Sequence, residues 1–172
     1  RFLLHVNLIY TGSDKAMFDE FKNSMMTEFD MSNLGLMHYF LGIEVNQSPA
    51  GIFISRMKYV QEVLDRFHMK DCNPVGTPTS SDMKLVKNLD GRKVDPTLYK
   101  KIVGSLMYLT LTRPDIMHVV SLISRFMENP TELHLAATKR IFHYLKGTVD
   151  FDVFYKKEAK SSLFFILQTV TM

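Results

Sequence analysis

The sequence predicts an α+β fold in which β-prone runs gather in the first third of the chain and helical periodicity governs the rest. Two observations carry this. Runs of aliphatic and aromatic residues broken by Gly and Pro occupy residues 2–10, 37–45 and 51–55. Beyond residue 56, apolar residues recur every three or four positions. With 172 residues, 46% of them hydrophobic, and 13 Phe, 7 Tyr and 12 Met, the chain can build one or two small cores. That apolar content excludes low-complexity disorder. A single cysteine, Cys72, excludes a disulfide framework within the chain.

Each element follows from local chemistry. Residues 2–10 read as a strand covered on both faces, because Leu3, Leu4 and Leu8 break a strict alternation. Ser13 or Asp14 is placed to cap a helix on which Met17, Phe21, Met25 and Phe29 recur every four residues. After a turn at residues 30–35, the runs 37–45 and 51–55 flank Ser48-Pro49-Ala50 and read as an antiparallel hairpin. Gly42 within the first run implies a bulge or a close backbone approach. A helix over residues 56–69 would bury Tyr59, Val60, Val63, Leu64 and Phe67.

Residues 70–96, with Pro74, Pro78, Pro96, Gly76 and Gly91, read as a long irregular connection, either a flexible linker or a segment crawling over the surface. Leu98, Ile102, Leu106 and Leu109 mark the next helix, broadened by Val103 and Met107. Thr112-Arg113-Pro114-Asp115 ends it and starts another, where proline costs little. Val119, Val120, Ile123, Phe126 and Met127 are its buried side. A last helix starts at Pro130-Thr131, carries Leu133, Ala137, Ile141 and Leu145, and ends near Gly147. Residues 151–155 and 163–167 suggest a terminal strand pair.

Charge is uneven. Residues 1–50 carry three basic and six acidic side chains, and residues 51–172 carry eighteen and twelve. An acidic start beside a basic remainder suits a protein handling metal and phosphate, although ordinary surface variation produces it as well. Residues 163–167 are apolar but far short of the roughly 20 residues that cross a bilayer. No leader-like segment precedes Arg1-Phe2, and the start inside an apolar run suggests a piece of a longer polypeptide. The expectation is an intracellular protein, neither membrane-bound nor secreted.

The search for chemistry is largely negative. There is no glycine-rich phosphate loop and no metal-ligand spacing among Cys72 and the histidines at 5, 38, 68, 118, 134 and 143. His68 and Cys72 stand four apart at a helix end and read as an incidental pair. None of Asp14, Asp19, Glu20, Glu28 and Asp30 forms a D-x-D or D-D pair on a β-prone run, whereas two-metal nucleotidyl transfer needs closely set carboxylates.

The order of motifs along the chain nevertheless carries a resemblance. Residues 2–12, Phe2-Leu3-Leu4-His5-Val6-Asn7-Leu8-Ile9-Tyr10-Thr11-Gly12, are similar to the LLYVDDIIxxG stretch of copia-type retrotransposon reverse transcriptases. Phe29-Asp30-Met31-Ser32-Asn33-Leu34-Gly35 resembles their F-x-M-K-D-L-G, Tyr39 to Glu44 their Y-F-L-G-I-E, and Ser55 to Tyr59 their S-Q-x-K-Y. Leu109 to Ile116 resembles L-T-x-T-R-P-D-I, and Tyr144 to Thr148 is Y-L-K-G-T. The likeness spans roughly residues 2–156.

The resemblance implies the C-terminal part of a reverse transcriptase domain. Residues 1–55 would be a partial palm, antiparallel strands plus a helix, with equivalents of the catalytic and primer-gripping hairpins. Residues 56–96 would be a thumb-like helix and long linker, and residues 97–172 a helical connection-like region with terminal strands. The family joins deoxynucleotides to a primer through two Mg²⁺ ions held by adjacent aspartates, and Asn7 and Leu8 stand where those aspartates would be. An amide brings no charge and leucine cannot coordinate, so no metal or cofactor is expected for this chain and it is expected to be inactive by itself.

Residues 161–166 also lack the aspartates that open the family's downstream ribonuclease H domain. Implied partners are an RNA/DNA template–primer and the upstream part of a polyprotein. By position, Arg56, Lys58, Arg66 and Lys70 are candidate phosphate contacts, and they read equally well as a solvated helix face. A non-catalytic nucleic-acid-binding or interaction remnant, or a product without function, is the alternative reading.

Overall fold

The computed structural model describes residues 5–11, 14–29, 31–80, 85–86, 91–156 and 165–171. Along the chain run β1 (His5–Thr11), α1 (Lys15–Glu28), β2 (Tyr39–Phe40), β3 (Ile43–Ser48), β4 (Gly51–Ser55) and α2 (Met57–Arg66). Then follow α3 (Pro96–Leu109), α4 (Pro114–Ser124), α5 (Glu132–Gly147), β5 (Val153–Lys156) and β6 (Phe165–Thr171). The mixture is α+β, with five helices and a four-stranded antiparallel sheet among the described residues.

The chain forms two units, Arg1–Leu36 with Lys157–Met172, and Met37–Lys156. The divide read from sequence at residues 55/56 falls inside the second unit, between β4 and α2.

In the first unit Asp14 caps α1, its carboxylate accepting from the N–H groups of Ala16 at 2.8 Å and Met17 at 3.3 Å. The four-residue apolar spacing does form a helix, but Met17 and Phe29 are about half exposed and no residue of α1 is buried. The Tyr10 ring packs against Phe18 and Phe21, with centroids 5.2 and 5.3 Å away. β1 pairs antiparallel with β6, His5 opposite Thr171 and Thr11 opposite Phe165.

In the second unit the sheet order is β2-β3-β4-β5, antiparallel throughout. The run 37–45 is two strands rather than one. Leu41 and Gly42, at φ +47° and +75°, make a two-residue turn of the mirror-image kind that hairpin twist favours. Gly42 is thus a turn residue and not a bulge. The Tyr108 hydroxyl donates to the Leu41 carbonyl at 2.6 Å and fixes this turn to α3.

The suggested terminal strand pair does not form. β5 pairs with β4 and β6 with β1, because each of those strands presents a free ladder edge to a β-prone tail segment. The β4–β5 pairing depends on Gly51, since a Cβ there would run into the Tyr155 carbonyl and the Phe154 ring.

The core lies among the helices. Val60, Val63 and Leu64 of α2 meet Ile102, Val103, Leu106 and Leu109 of α3, with Ile116, Val119 and Ile123 of α4 and Ile141, Phe142 and Leu145 of α5. Fully burying each such side chain stabilises by about 1.5–3 kcal/mol. The expected faces shift slightly. Leu98 is 42% exposed, Met107 49% and Leu133 38%, while Tyr99 is fully buried and donates to the Ile123 carbonyl at 2.9 Å. The ring reaches deeper than Leu98 and brings its own polar partner.

Residues 71–80 crawl over α5. Asn73 O meets His143 Nδ1 at 2.6 Å, Val75 N–H donates to His143 O at 3.2 Å, and Arg140 donates to Thr77 Oγ1 at 3.0 Å. Farther on, Lys93 bridges to Thr131, and the His134 ring joins the Val86 carbonyl at 3.1 Å. Among the described residues no helix is long and apolar enough to cross a membrane.

Candidate functional site

Asn7 and Leu8 lie in the middle of β1, opposite Thr169 and Gln168 of β6. A catalytic hairpin would put them at a tight turn. The strand instead runs straight through both, its ladder completed by β6. The segment from Phe2 to Leu4 lies outside the described residues. β1 carries no carboxylate, and no group of three or more His, Cys, Asp or Glu among the described residues could hold a metal. The residues present do not fit the magnesium pair that the resemblance implies for intact relatives, and no step runs through it.

The four candidate phosphate contacts divide. Arg56 is only 3% exposed. Its Nη1 donates to the Tyr108 carbonyl at 2.8 Å, and its guanidinium lies 3.8 Å from the centre of the Tyr108 ring. A group so enclosed presents no face to a phosphate, so Arg56 is an internal tie between α2 and α3. Its position before α2 looked surface-like only because the partner is 52 residues away. Lys58, Arg66 and Lys70 are exposed. Lys58 Nζ stands 5.3 Å from the centre of the Tyr39 ring, and Arg66 pairs with Glu62 one turn back. The N-terminus of α2 is already occupied, since Glu44 Oε1 accepts from the Lys58 N–H at 3.0 Å.

Two features escaped the sequence. The first is Arg113, 2% exposed, which stands before α4 and ties it to the end of α5. Its Nε and Nη2 hold the Asp115 carboxylate at 2.7–3.3 Å. Its Nη1 donates to Thr148 O at 2.8 Å and its Nη2 to Thr148 Oγ1 at 2.6 Å. Burial pushes the Asp115 carboxyl upward, but hydrogen bonds from Arg113 and Tyr144 and the Arg113 charge outweigh it and hold the group below its ordinary value. Burial, then the bond to Asp115, raises the Tyr144 phenol. The signal was there: Arg113 belongs to the T-R-P-D stretch and Thr148 to Y-L-K-G-T, two signatures that the fold brings into contact.

The second is His134, 1% exposed, stacked on Phe126 at 3.9 Å. Its Nδ1 accepts from the Thr131 N–H at 3.0 Å, so the ring proton sits on Nε2 and donates to Val86 O. Burial lowers its pKa below the ordinary histidine value.

Residues 3–81 match the family described as reverse transcriptase (RNA-dependent DNA polymerase). Over 157 residues the chain is 40% identical to the retrovirus-related Pol polyprotein from transposon RE1 of Arabidopsis thaliana, a match covering 91% of this chain and 11% of that polyprotein. The chain is similar to retrotransposon Pol polyproteins, and its residues 3–81 to reverse transcriptases. A Pol polyprotein from a Nicotiana tabacum transposon is 38% identical over 156 residues, 85% of this chain and 12% of that protein. An uncharacterised mitochondrial protein of Arabidopsis thaliana is 37% identical over 160 residues, 92% of this chain and 66% of that protein. The chain therefore spans about a tenth of the transposon polyproteins it matches. No solved structure matches it. At residues 7 and 8 the chain carries an amide and an alkyl group.

Proposed function

We propose that this chain is the C-terminal part of a copia-type reverse transcriptase domain whose aspartate pair has decayed to Asn7 and Leu8, and that it holds template–primer without extending it. The observation that carries the reading is that pair of residues within an otherwise ordered set of family signatures. In this reading β1, α1 and the β2–β4 strands descend from a palm and its primer-gripping hairpin, and α2 to α5 from thumb and connection. Without carboxylates at 7 and 8, nothing at those positions would hold the divalent cations that offset the triphosphate's charge during transfer. Exposed Lys58, Arg66 and Lys70 give the helical unit a sequence-independent hold on phosphate.

A non-catalytic binding remnant is favoured over a product without function by one point: three of the four candidate cations, Lys58, Arg66 and Lys70, stay exposed on or beside α2. Purified chain mixed with a primed RNA template is expected to bind it at low salt, with affinity falling as salt rises, and to add no nucleotide. Incorporation above background, or no binding at low salt, overturns the reading.

A further inference from the structure

The helix that the sequence reading left without a role, α5, has a one-sided charge. From Leu133 to Gly147 it carries Lys139, Arg140, His143 and Lys146 on its outer side, and no Asp or Glu. Lys139 and Lys146 are exposed, and Arg140 and His143 half-buried. Residues 139, 143 and 146 are four and three apart and so form one stripe. Glu132, at the far end of the helix, is already paired with Arg92 at 3.2 Å.

The strap 73–77 holds this stripe in shape by its bonds to His143 and Arg140. Burial pushes the Cys72 thiol up, and the Lys146 charge opposes that shift.

Helix-dipole stabilisation explains only part of the pattern. The effect fades within the last turn, so it accounts for Lys146 but not for Lys139 and Arg140, about two turns earlier. The row fits a regular polyanion instead. Lys139 and Lys146 are about 10.5 Å apart along the axis, the span of about three phosphates of one strand at 3.4 Å each. The stripe carries no Phe, Tyr or Trp on which a base could stack, so the contact it offers is to backbone rather than to bases.

We infer that the C-terminal half of α5, with its strap, is a second nucleic-acid phosphate-binding surface, separate from α2. The inference rests on the nucleic-acid-binding reading above. Each neutralised phosphate changes affinity about 8-fold at about 0.1 M salt, from a logarithmic slope near −0.9 per contact.

The test is an anisotropy titration of the full chain against a short labelled RNA–DNA hybrid over a range of salt. It compares wild type, the pair Lys139→Gln with Lys146→Gln, and the pair Lys58→Gln with Arg66→Gln. The α5 pair is expected to bind about 60-fold more weakly at about 0.1 M salt and to lower the salt slope by about 2, with an unchanged melting temperature. Wild-type affinity and slope in the α5 pair, while wild type binds and the α2 pair is weakened, overturn the inference and leave the broader reading standing. If wild type itself fails to bind at low salt, the broader reading falls and this surface with it.

Discussion

Replacing Arg113 by Met removes the guanidinium donors that tie α4 to the end of α5 while keeping most of the side-chain volume. The change leaves Thr148 O and Oγ1 and the Asp115 carboxylate without their guanidinium. Breaking a buried ion pair by deleting one member costs roughly 3–5 kcal/mol. The Asp115 side chain keeps 28% exposure and can regain water, which places the loss at the lower end, about 3 kcal/mol. At about 2 kcal/mol per M of urea, the unfolding midpoint followed by circular dichroism should fall by about 1.5 M.

Adding Asp115→Asn to Arg113→Met should recover part of that loss, since the stranded charge is gone. Arg92→Met, at a pair whose side chains are 83% and 58% exposed, should cost no more than about 0.5 kcal/mol. A loss below about 1 kcal/mol for Arg113→Met, with an unchanged slope, refutes the argument that this arginine locks the helices.

Gly51→Ala should destabilise by roughly 1–3 kcal/mol and loosen β5 from β4, measured by urea unfolding and amide exchange at Val153 to Lys156, because the new Cβ meets Tyr155 O and the Phe154 ring. Leu41→Asn should stabilise by about 1 kcal/mol in the same urea assay, since asparagine suits a positive φ and the 61%-exposed leucine gives up little burial. His134 has a folded pKa below its unfolded value, so its neutral ring contributes stability that is complete above about pH 6.5 and is lost as pH falls through the folded value. Melting temperature should therefore drop between about pH 7 and pH 5 in wild type and by less in His134→Gln. Asp115, also held low, contributes stability present above its ordinary value near about 4 and lost as pH falls further. Asp115→Asn should flatten that acid limb of the melting curve.

What the sequence discloses is mostly local. Asp14 is legible as a cap because a short acceptor side chain precedes an apolar period, and Pro114 as a first-turn residue because its missing N–H costs nothing there. Gly42 was harder, since β2 is two residues long and too short to show an alternation of its own. On α3, Leu98 and Tyr99 both border the apolar stripe. Only the distant Ile123 carbonyl makes the tyrosine the buried one. Arg56 read as a surface cation and Arg113 only as part of a helix break, because their partners, Tyr108 and Thr148, lie 52 and 35 residues away. Tail strand pairing went wrong, 151–155 being expected to pair with 163–167, because β-prone composition names no partner. The family motifs marked the right stretches without saying that two of them touch.

Single-nucleotide extension of a labelled primer on an RNA template, with purified chain and Mg²⁺, tests most directly the proposal that Asn7 and Leu8 replace a metal-holding aspartate pair. The account predicts no extended product from this chain, nor from the variant carrying Asn7→Asp and Leu8→Asp, because the rest of a metal-holding carboxylate set is missing from the described residues. A primer lengthened by the wild-type chain and silenced by chelation of Mg²⁺ would contradict it.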